Sequence, residues 1–315
     1  MHQDGRTLDR RSRPPKRIPL RGLGVLVALA ALAAHAQASS KPLGANLEAF
    51  AYPHAVSWYE TRSQDAAVRM AYMDVPPTGT ANGRTIVLLH GKNFCAATWS
   101  ATIEALVARG YRVIAPDQIG FCKSSKPAGY QYSFHALAAL TAGLLDRAGV
   151  AKMILVGHST GGILAMRFAL LHPERLERLV LVNPLGLNDT LSEGVPYTGL
   201  GDLRAEERKT DAASIRSYQL RNYYHGVWRA NYDRWVEMLA GQYASPDGAV
   251  VREAQARLSD MIQTQPVAGE IGGIAVPVTL IVGQKDLTAF RANTAPPARR
   301  AGVRAVPQAA DDTVG

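Results

Sequence analysis

Near its middle the chain reads Met153-Ile154-Leu155-Val156-Gly157-His158-Ser159-Thr160-Gly161-Gly162. The first four residues form an apolar run typical of a buried strand, and an apolar helical pattern begins near Gly162. Between them lies the pattern Gly-x-Ser-x-Gly, which places a serine on a sharp turn from strand to helix. Such a turn lifts the hydroxyl clear of the sheet, and the following helix points its N-terminus at developing negative charge. The stretch therefore predicts Ser159 as a nucleophile.

Similar apolar runs alternate with helical patterns on both sides of this turn. The runs fall at residues 85–89, 111–115, 179–182 and 277–282, and the helical patterns at 98–109 and 134–148. Ahead of them, residues 67–75 are expected to form a further strand at the edge of the sheet. Buried strands that alternate with helices indicate a mostly parallel sheet covered by helices on both faces. The predicted fold class is therefore α/β.

The alternation stops between residues 188 and 266, where helical patterns rich in aromatic residues replace the strands. The aromatic residues are Tyr197, Tyr218, Tyr223, Tyr224, Trp228, Tyr232, Trp235 and Tyr243. We predict that residues 188–266 form a helical lid, with some aromatic side chains lining an apolar pocket and the others packing the lid itself. The α/β core then comprises residues 39–187 and 267–298, and residues 299–315 are expected to be an irregular or disordered tail.

The N-terminus has the layout of a targeting segment. A basic region with seven Lys and Arg residues precedes an apolar run at residues 23–34, and Ala36 and Ala38 complete two small-x-small cleavage sequences. This order is typical of a secretory signal peptide, and the apolar run is short for a membrane anchor, which is the alternative. We therefore predict a signal peptide at residues 1–38, export to a periplasmic or secreted location, and no stable membrane span after cleavage.

The positive charge of the chain is concentrated at its two ends. Residues 1–38 carry seven basic residues against two aspartates, and so account for five of the nine net positive charges. Nucleic-acid binding requires a basic stripe with interleaved aromatic residues, and none precedes the basic tail. The composition therefore favours a small-molecule substrate and no nucleic-acid partner. It implies no metal or organic cofactor, because no ligand cluster or dinucleotide motif occurs.

The first buried strand is followed by a loop with the sequence His90-Gly91-Lys92-Asn93, which can contribute to the active site. A backbone N–H at this position, which we assign to Lys92, would join the N–H of Thr160 to form an oxyanion hole. His90 is expected to hold the loop in shape by hydrogen bonds, in preference to acting as a general base.

These motifs, in this order, resemble the α/β-hydrolase superfamily, in its lid-bearing serine hydrolase branch. Further matching residues are Trp99, Asp117 to Gly120 with Lys123 and Ser124, Asn183-Pro184, and Gly283 to Asp286, and the match extends from about residue 67 to 290. The resemblance implies an eight-stranded sheet, a lid after the sixth strand, and a Ser–His–Asp triad. It assigns the acid of the triad to Asp286, which would orient the imidazole. Dehalogenases and epoxide hydrolases of this branch carry Asp at the turn, so Ser159 argues against both chemistries.

The resemblance fails at the catalytic histidine, for which we find no candidate. The base is expected a few tens of residues after Asp286, yet no histidine follows His225, which lies in the lid. We therefore expect the chain to lack the eighth strand, the catalytic histidine and the last helix, through a frameshift, a truncation or natural divergence. Loss of a triad member typically costs on the order of a million-fold in turnover.

The two cysteines lie in loops that follow neighbouring strands. Cys95 follows the first buried strand and Cys122 the second, so both sulfurs are expected at one edge of the sheet. A disulfide between them would stabilise the folded protein by roughly 3–4 kcal/mol. The alternative is two buried free thiols.

The sequence thus predicts a serine hydrolase of a small, ester-like or activated acyl substrate, with Ser159 as nucleophile. The alternative is a catalytically impaired binding protein that uses the aromatic pocket.

Overall fold

The computed structural model describes residues 40–314, with side chains described as far as residue 311. The predicted signal peptide lies outside the described residues. The strands are β1 Val56–Ser63, β2 Ala66–Val75, β3 Thr85–Leu89, β4 Arg112–Pro116, β5 Met153–His158, β6 Leu176–Val182 and β7 Val278–Ile281. The helices are α1 Ser100–Val107, α2 Phe134–Arg147, α3 Thr160–Leu171, α4 Leu200–Lys209, α5 Ala212–Asn222, α6 Asp233–Tyr243, α7 Gly248–Thr264, α8 Pro297–Arg300 and α9 Val306–Val314.

The seven described strands form one sheet in the order β1-β2-β4-β3-β5-β6-β7. Strands β3 to β7 run parallel to one another, and β1 and β2 are antiparallel to their neighbours. The predicted class, a mostly parallel α/β sheet, is therefore confirmed. The edge strand expected at residues 67–75 is β2, which lies one position inside the edge because β1 pairs with it.

Helices cover both faces of the sheet because alternate residues of each central strand point in opposite directions. Val87 and Leu89 join a core with α2 and α3, whereas Ile86 and Leu88 join a second core with α1. Strands buried on both faces read as continuous apolar runs, which is why β3, β4 and β5 were recognisable in the sequence.

Four helices, α4 to α7, lie between β6 and β7, where the sequence predicted a helical insertion. We call residues 200–264 the helical segment. Arg204 of α4 makes a bidentate ion pair with Glu253 of α7, at 2.7 and 2.6 Å, and this pair lowers the pKa of the Glu253 carboxyl to about 2. Whether the segment opens and closes as a lid stays a prediction.

The C-terminal residues differ from the irregular tail expected from the sequence. Val306, Ala309 and Ala310 are buried and pack into the main core as one face of α9. Their spacing of three and four residues is that of an amphipathic helix, but the face is short and built largely from alanine. Within residues 40–314 no helix combines the length and the apolar character needed to cross a membrane.

Candidate active site

The backbone turns sharply at Ser159, between the end of β5 and the start of α3. Ser159 has φ 54° and ψ −121°, a conformation that side-chain-bearing residues rarely adopt. Its carbonyl accepts hydrogen bonds from the backbone N–H groups of Gly162 and Leu185, at 2.8 and 3.0 Å. The strand, the helix and these hydrogen bonds hold the serine in the geometry that the Gly-x-Ser-x-Gly pattern predicts.

The two glycines of the pattern are required by close packing of the backbone. A Cβ atom at Gly157 would lie 2.3 Å from the carbonyl oxygen of Gly161, and one at Gly161 would lie 2.5 Å from that of Leu89. Both distances are far below van der Waals contact, so no other residue fits either position without moving the turn. The glycines of the sequence pattern are therefore explained by the lack of space for a side chain on either side of Ser159.

Ser159 lines a cavity of about 700 Å³, a volume within the usual range for small-molecule sites. The other predicted site residues, Lys92, Thr160 and Asp286, line the same cavity. The structure therefore brings together all four residues that the sequence singled out, although they lie on three different loops and a helix end. The opposite wall comes from the helical segment, including Tyr218, Tyr223 and Tyr243 of the aromatic set.

Two backbone N–H groups beside Ser159 are available to an oxyanion. Within the described chain, the N–H groups of Lys92 and Thr160 donate to no other residue. The side chain of Lys92 is engaged elsewhere, because its Nζ donates to Glu207 Oε1 at 3.3 Å. This arrangement suits an oxyanion hole in which Lys92 contributes only its main chain.

His90 holds the loop that carries Lys92, as expected. Its Nδ1 donates to the carbonyl of Gly91 at 2.9 Å, and its Nε2 accepts from the N–H of Gln118 at 3.1 Å. The ring is buried, and burial lowers its pKa below the usual value. Both nitrogens are therefore committed to structure, and a neutral imidazole is favoured.

Asp286 lies in the loop after β7, on a turn closed by its own backbone. Its N–H donates to the carbonyl of Gly283, and its Oδ1 accepts from the N–H of Thr288 at 2.8 Å. Asn183, at the end of β6, anchors the turn because its Oδ1 accepts from the N–H of Gly283 at 2.8 Å. The other carboxylate oxygen, Oδ2, is left without a hydrogen bond to any described residue.

Two histidines line the cavity, but neither is placed as a general base. His158 packs the edge of its ring against Trp99, with centroids 6.2 Å apart, and burial lowers its pKa to about 4 although Asp286 acts to raise it. His225, in the loop after α5, is exposed and has φ 48°. Among the described residues no imidazole hydrogen-bonds to Ser159 or Asp286, in agreement with the absence of a candidate in the sequence.

Cys95 and Cys122 form a disulfide, with their Cα atoms 5.8 Å apart. Of the two alternatives that the sequence left open, the structure has the bridge. It joins the loop after β3 to the loop after β4, two strands that are neighbours in the sheet. The same two cysteines and Asp117 are the group of described residues best spaced for a metal ion, but sulfurs bonded to each other are not available as metal ligands.

Several cavity residues were not singled out from the sequence. Asn93 donates to the hydroxyl of Tyr223 at 3.2 Å, and Tyr223 packs against Tyr218 with ring centroids 5.8 Å apart. Burial raises the pKa of both phenols above their usual value, so both remain protonated donors at neutral pH. Their position in an aromatic-rich segment was the available signal, but it did not distinguish them from residues that pack the segment itself.

Comparison with known proteins identifies the fold family of the chain. The family model described as alpha/beta hydrolase fold matches residues 84–307. The chain is 48% identical to a probable hydrolytic enzyme from Pseudomonas aeruginosa PAO1 of known structure; the match covers 87% of this chain and 88% of that one, with a TM-score of 0.85.

Curated relatives share shorter stretches. The 2-hydroxy-6-oxo-2,4-heptadienoate hydrolase of Pseudomonas putida is 36% identical over 115 residues, which are 36% of this chain and 42% of the relative. The 2-hydroxymuconate semialdehyde hydrolase of Pseudomonas sp. strain CF600 is 30% identical over 184 residues, covering 52% of this chain and 65% of the relative. The chain thus spans less than two thirds of these relatives. Because the family model matches residues 84–307, which are most of its length, the chain belongs to the α/β hydrolase fold family.

Proposed function

We propose that this chain is a serine hydrolase of small esters or similarly activated acyl compounds. The observation that carries the proposal is the strained turn at Ser159, which presents a serine to a cavity shared with Lys92, Thr160 and Asp286. In the proposed reaction, Ser159 Oγ attacks the substrate carbonyl as its proton passes to water, and the N–H groups of Lys92 and Thr160 stabilise the oxyanion. Each such donor is typically worth about 3–4 kcal/mol in the transition state. Collapse of this intermediate breaks the bond to the alkoxy group, which leaves as the alcohol after taking up a proton from water, and a second water hydrolyses the acyl-serine to the acid and free Ser159.

The relatives support attack on a carbonyl carbon and leave the substrate open. Their names specify 2-hydroxy-6-oxo-dienoate and 2-hydroxymuconate semialdehyde substrates. For this chain we propose the broader class, a small acyl compound, because the helical segment that forms half of the cavity wall sets the shape of the site and fold alone does not specify substrate.

We also propose that the chain is exported to the periplasm or secreted. The N-terminal sequence pattern and the Cys95–Cys122 disulfide both support this location, since disulfides persist in oxidising compartments. Residues 188–266 are proposed to act as a lid over the cavity.

Labelling with a fluorophosphonate tests the nucleophile directly. We expect the exported chain, from about Ser39 onward, to be labelled at Ser159, and the Ser159→Ala variant to remain unlabelled. Slow labelling is expected, because no imidazole hydrogen-bonds to Ser159 in the described chain and enzymes without their base retain only about 10³- to 10⁴-fold acceleration over water. Labelling at another residue, or none on folded protein, would contradict the proposal.

The second candidate is a binding protein that does not turn over its ligand. It is favoured by one observation: neither Ser159 nor Asp286 hydrogen-bonds to an imidazole in the part of the chain that the structure describes. Unlabelled, folded protein that still binds an ester in the cavity would support this candidate and exclude the first.

A further inference from the structure

Three polar side chains of the helical segment face the cavity and have no hydrogen-bond partner. They are Gln219 of α5 and Gln255 and Ser259 of α7, with exposed fractions of 1%, 9% and 7%. Both amide atoms of Gln219 are enclosed and unpaired, and no hydrogen bond joins the side chain of Gln255 or Ser259 to another residue in the described chain. Buried polar groups are almost always paired, so the enclosed amide of Gln219 needs an explanation.

The helices place the three side chains on faces that line the cavity. On α5, Ile215, Tyr218, Gln219 and Asn222 all line it, and their spacing of three and four residues is one face of a helix. On α7, Gln255 and Ser259 are one turn apart and line it as well. The three residues therefore line the space that a ligand would occupy, with the amide of Gln219 enclosed behind the cavity surface.

The charged residues of the cavity make no hydrogen bonds to these three side chains in the described chain. Lys92 is paired with Glu207, and Arg291 makes a bidentate ion pair with Glu206 at 2.9 and 2.9 Å. Within the described residues no lysine or arginine hydrogen-bonds to Gln219, Gln255 or Ser259. The three groups offer amide and hydroxyl donors and acceptors without net charge, and an unpaired carboxylate there would carry a large desolvation cost.

We propose that Gln219, Gln255 and Ser259 form a recognition subsite for an uncharged hydrogen-bonding group of the ligand, such as a hydroxyl or a carboxamide. The inference deepens the proposed function, because it names the chemical class of the group that lies away from the reacting carbonyl. A site built from such groups rejects an analogue that lacks the partner, because its own polar atoms are then left unpaired.

Binding to the Ser159→Ala variant tests the subsite without requiring turnover. The ligands are pairs of esters that differ only in their last group: methyl ω-hydroxyhexanoate against methyl heptanoate, and the corresponding pairs two and four carbons longer. Dissociation constants are measured by ligand-observed NMR. We expect the hydroxyl ester to bind at least about tenfold more tightly in the pair of matching length, and monomethyl adipate, which ends in a carboxylate, to bind more weakly than methyl ω-hydroxyhexanoate.

Substitutions of the glutamines test which residues cause the preference for the hydroxyl ester. In the same Ser159→Ala background, Gln219→Leu and Gln255→Leu are expected to abolish the preference for the hydroxyl ester. Gln242→Leu is the matched control, because Gln242 is also a buried glutamine with an unpaired Oε1, on α6, but it does not line the cavity. It should leave the preference unchanged.

Loss of an unpaired buried amide is expected to leave the fold intact, which a thermal unfolding curve of each variant checks. Equal dissociation constants within every pair, or binding of none of the esters, would overturn the subsite. Because this readout does not involve Ser159 chemistry, a negative labelling result leaves it unaffected, and the two proposals fail separately.

Discussion

Ser159 occupies a region of backbone conformation that costs on the order of 1–3 kcal/mol. The structure holds it there by three means already described: a strand on one side, a helix on the other, and glycines at positions 157 and 161 that admit no Cβ. The Gly-x-Ser-x-Gly pattern and the sharp turn therefore have one cause, which is that the closely packed backbone leaves no room for a Cβ atom at positions 157 and 161. For this reason a five-residue motif was enough to locate the turn that carries Ser159.

His158 gives a residue-scale prediction about acid stability. Burial lowers its pKa to about 4, whereas an unfolded histidine titrates near pH 6.5. Between these values the unfolded state binds a proton that the native state does not, so stability falls as pH falls from about 6.5 to about 4. The loss attributable to His158 is on the order of 3 kcal/mol at pH 4.

Urea unfolding at a series of pH values measures this contribution. We expect His158→Gln to show a shallower loss of unfolding free energy over that interval than the parent chain. His90 is also buried with a lowered pKa, so part of the slope should remain in the variant. Parallel curves for the two proteins would show that His158 takes up a proton as readily in the native state as in the unfolded one.

At the scale of secondary structure, the central strands were predictable and the ends of the chain were not. Strands β3, β4 and β5 are buried on both faces over most of their length and carry apolar runs, and the apolar run of β6 covers its last four residues. By contrast, β1 has only exposed and half-buried residues, because it lies at the edge of the sheet. The C-terminal α9 was missed because its buried face consists of Val306, Ala309 and Ala310, in a stretch otherwise rich in alanine.

The same reasoning separates the predictable part of the site from the rest. Lys92, Ser159 and Asp286 lie where strands end, and the carboxyl ends of parallel strands meet at one edge of a sheet. Gln219 and Gln255 lie in the interior of helices, where a glutamine is ordinarily a solvated residue. They are buried only because α5 and α7 pack around the cavity. The spacing of apolar residues in the sequence does not predict how these helices pack.

The disulfide gives a prediction at the scale of loops. Cys95 and Cys122 are 27 residues apart in sequence, and the bridge connects the loop that carries the Lys92 N–H to the loop after β4. Its removal by Cys95→Ala with Cys122→Ala is expected to lower the free energy of unfolding by about 3–4 kcal/mol. Chemical denaturation with and without dithiothreitol measures the effect.

The double variant is its own control for the reductant. Dithiothreitol should destabilise the parent chain and leave the variant unchanged, while thiol titration of the unreduced parent should find no free thiol. Two free thiols in the unreduced, folded parent would contradict the bridge.

At the scale of the whole molecule, the sheet ends at β7 in the described chain, and this edge is apolar. Val278 and Ile281 are 46% and 51% exposed, and Leu287 just beyond them is 85% exposed. Because unpaired, apolar edge strands associate readily with other chains, we expect the protein to self-associate as its concentration rises. Val278→Lys should raise the concentration at which light scattering first increases.

Val250 provides the matched control, because it is 46% exposed as well but lies on helix α7. Val250→Lys adds the same charge and removes the same apolar area, without altering the sheet edge. If both lysine variants change the onset of scattering equally, net charge and not the edge strand governs the association.

The helical segment is one continuous insertion, so it can change in evolution independently of the sheet and its loops. Ser159 and the N–H groups of Lys92 and Thr160 lie where strands of the sheet end, whereas Gln219, Gln255 and Ser259 lie on one continuous insertion between β6 and β7. A recombination event with two crossover points would replace the insertion and leave the turn at Ser159 untouched. The shape and polarity of this cavity wall are therefore free to diverge, in nature or in a laboratory chimaera, on a scaffold whose backbone turn is preserved.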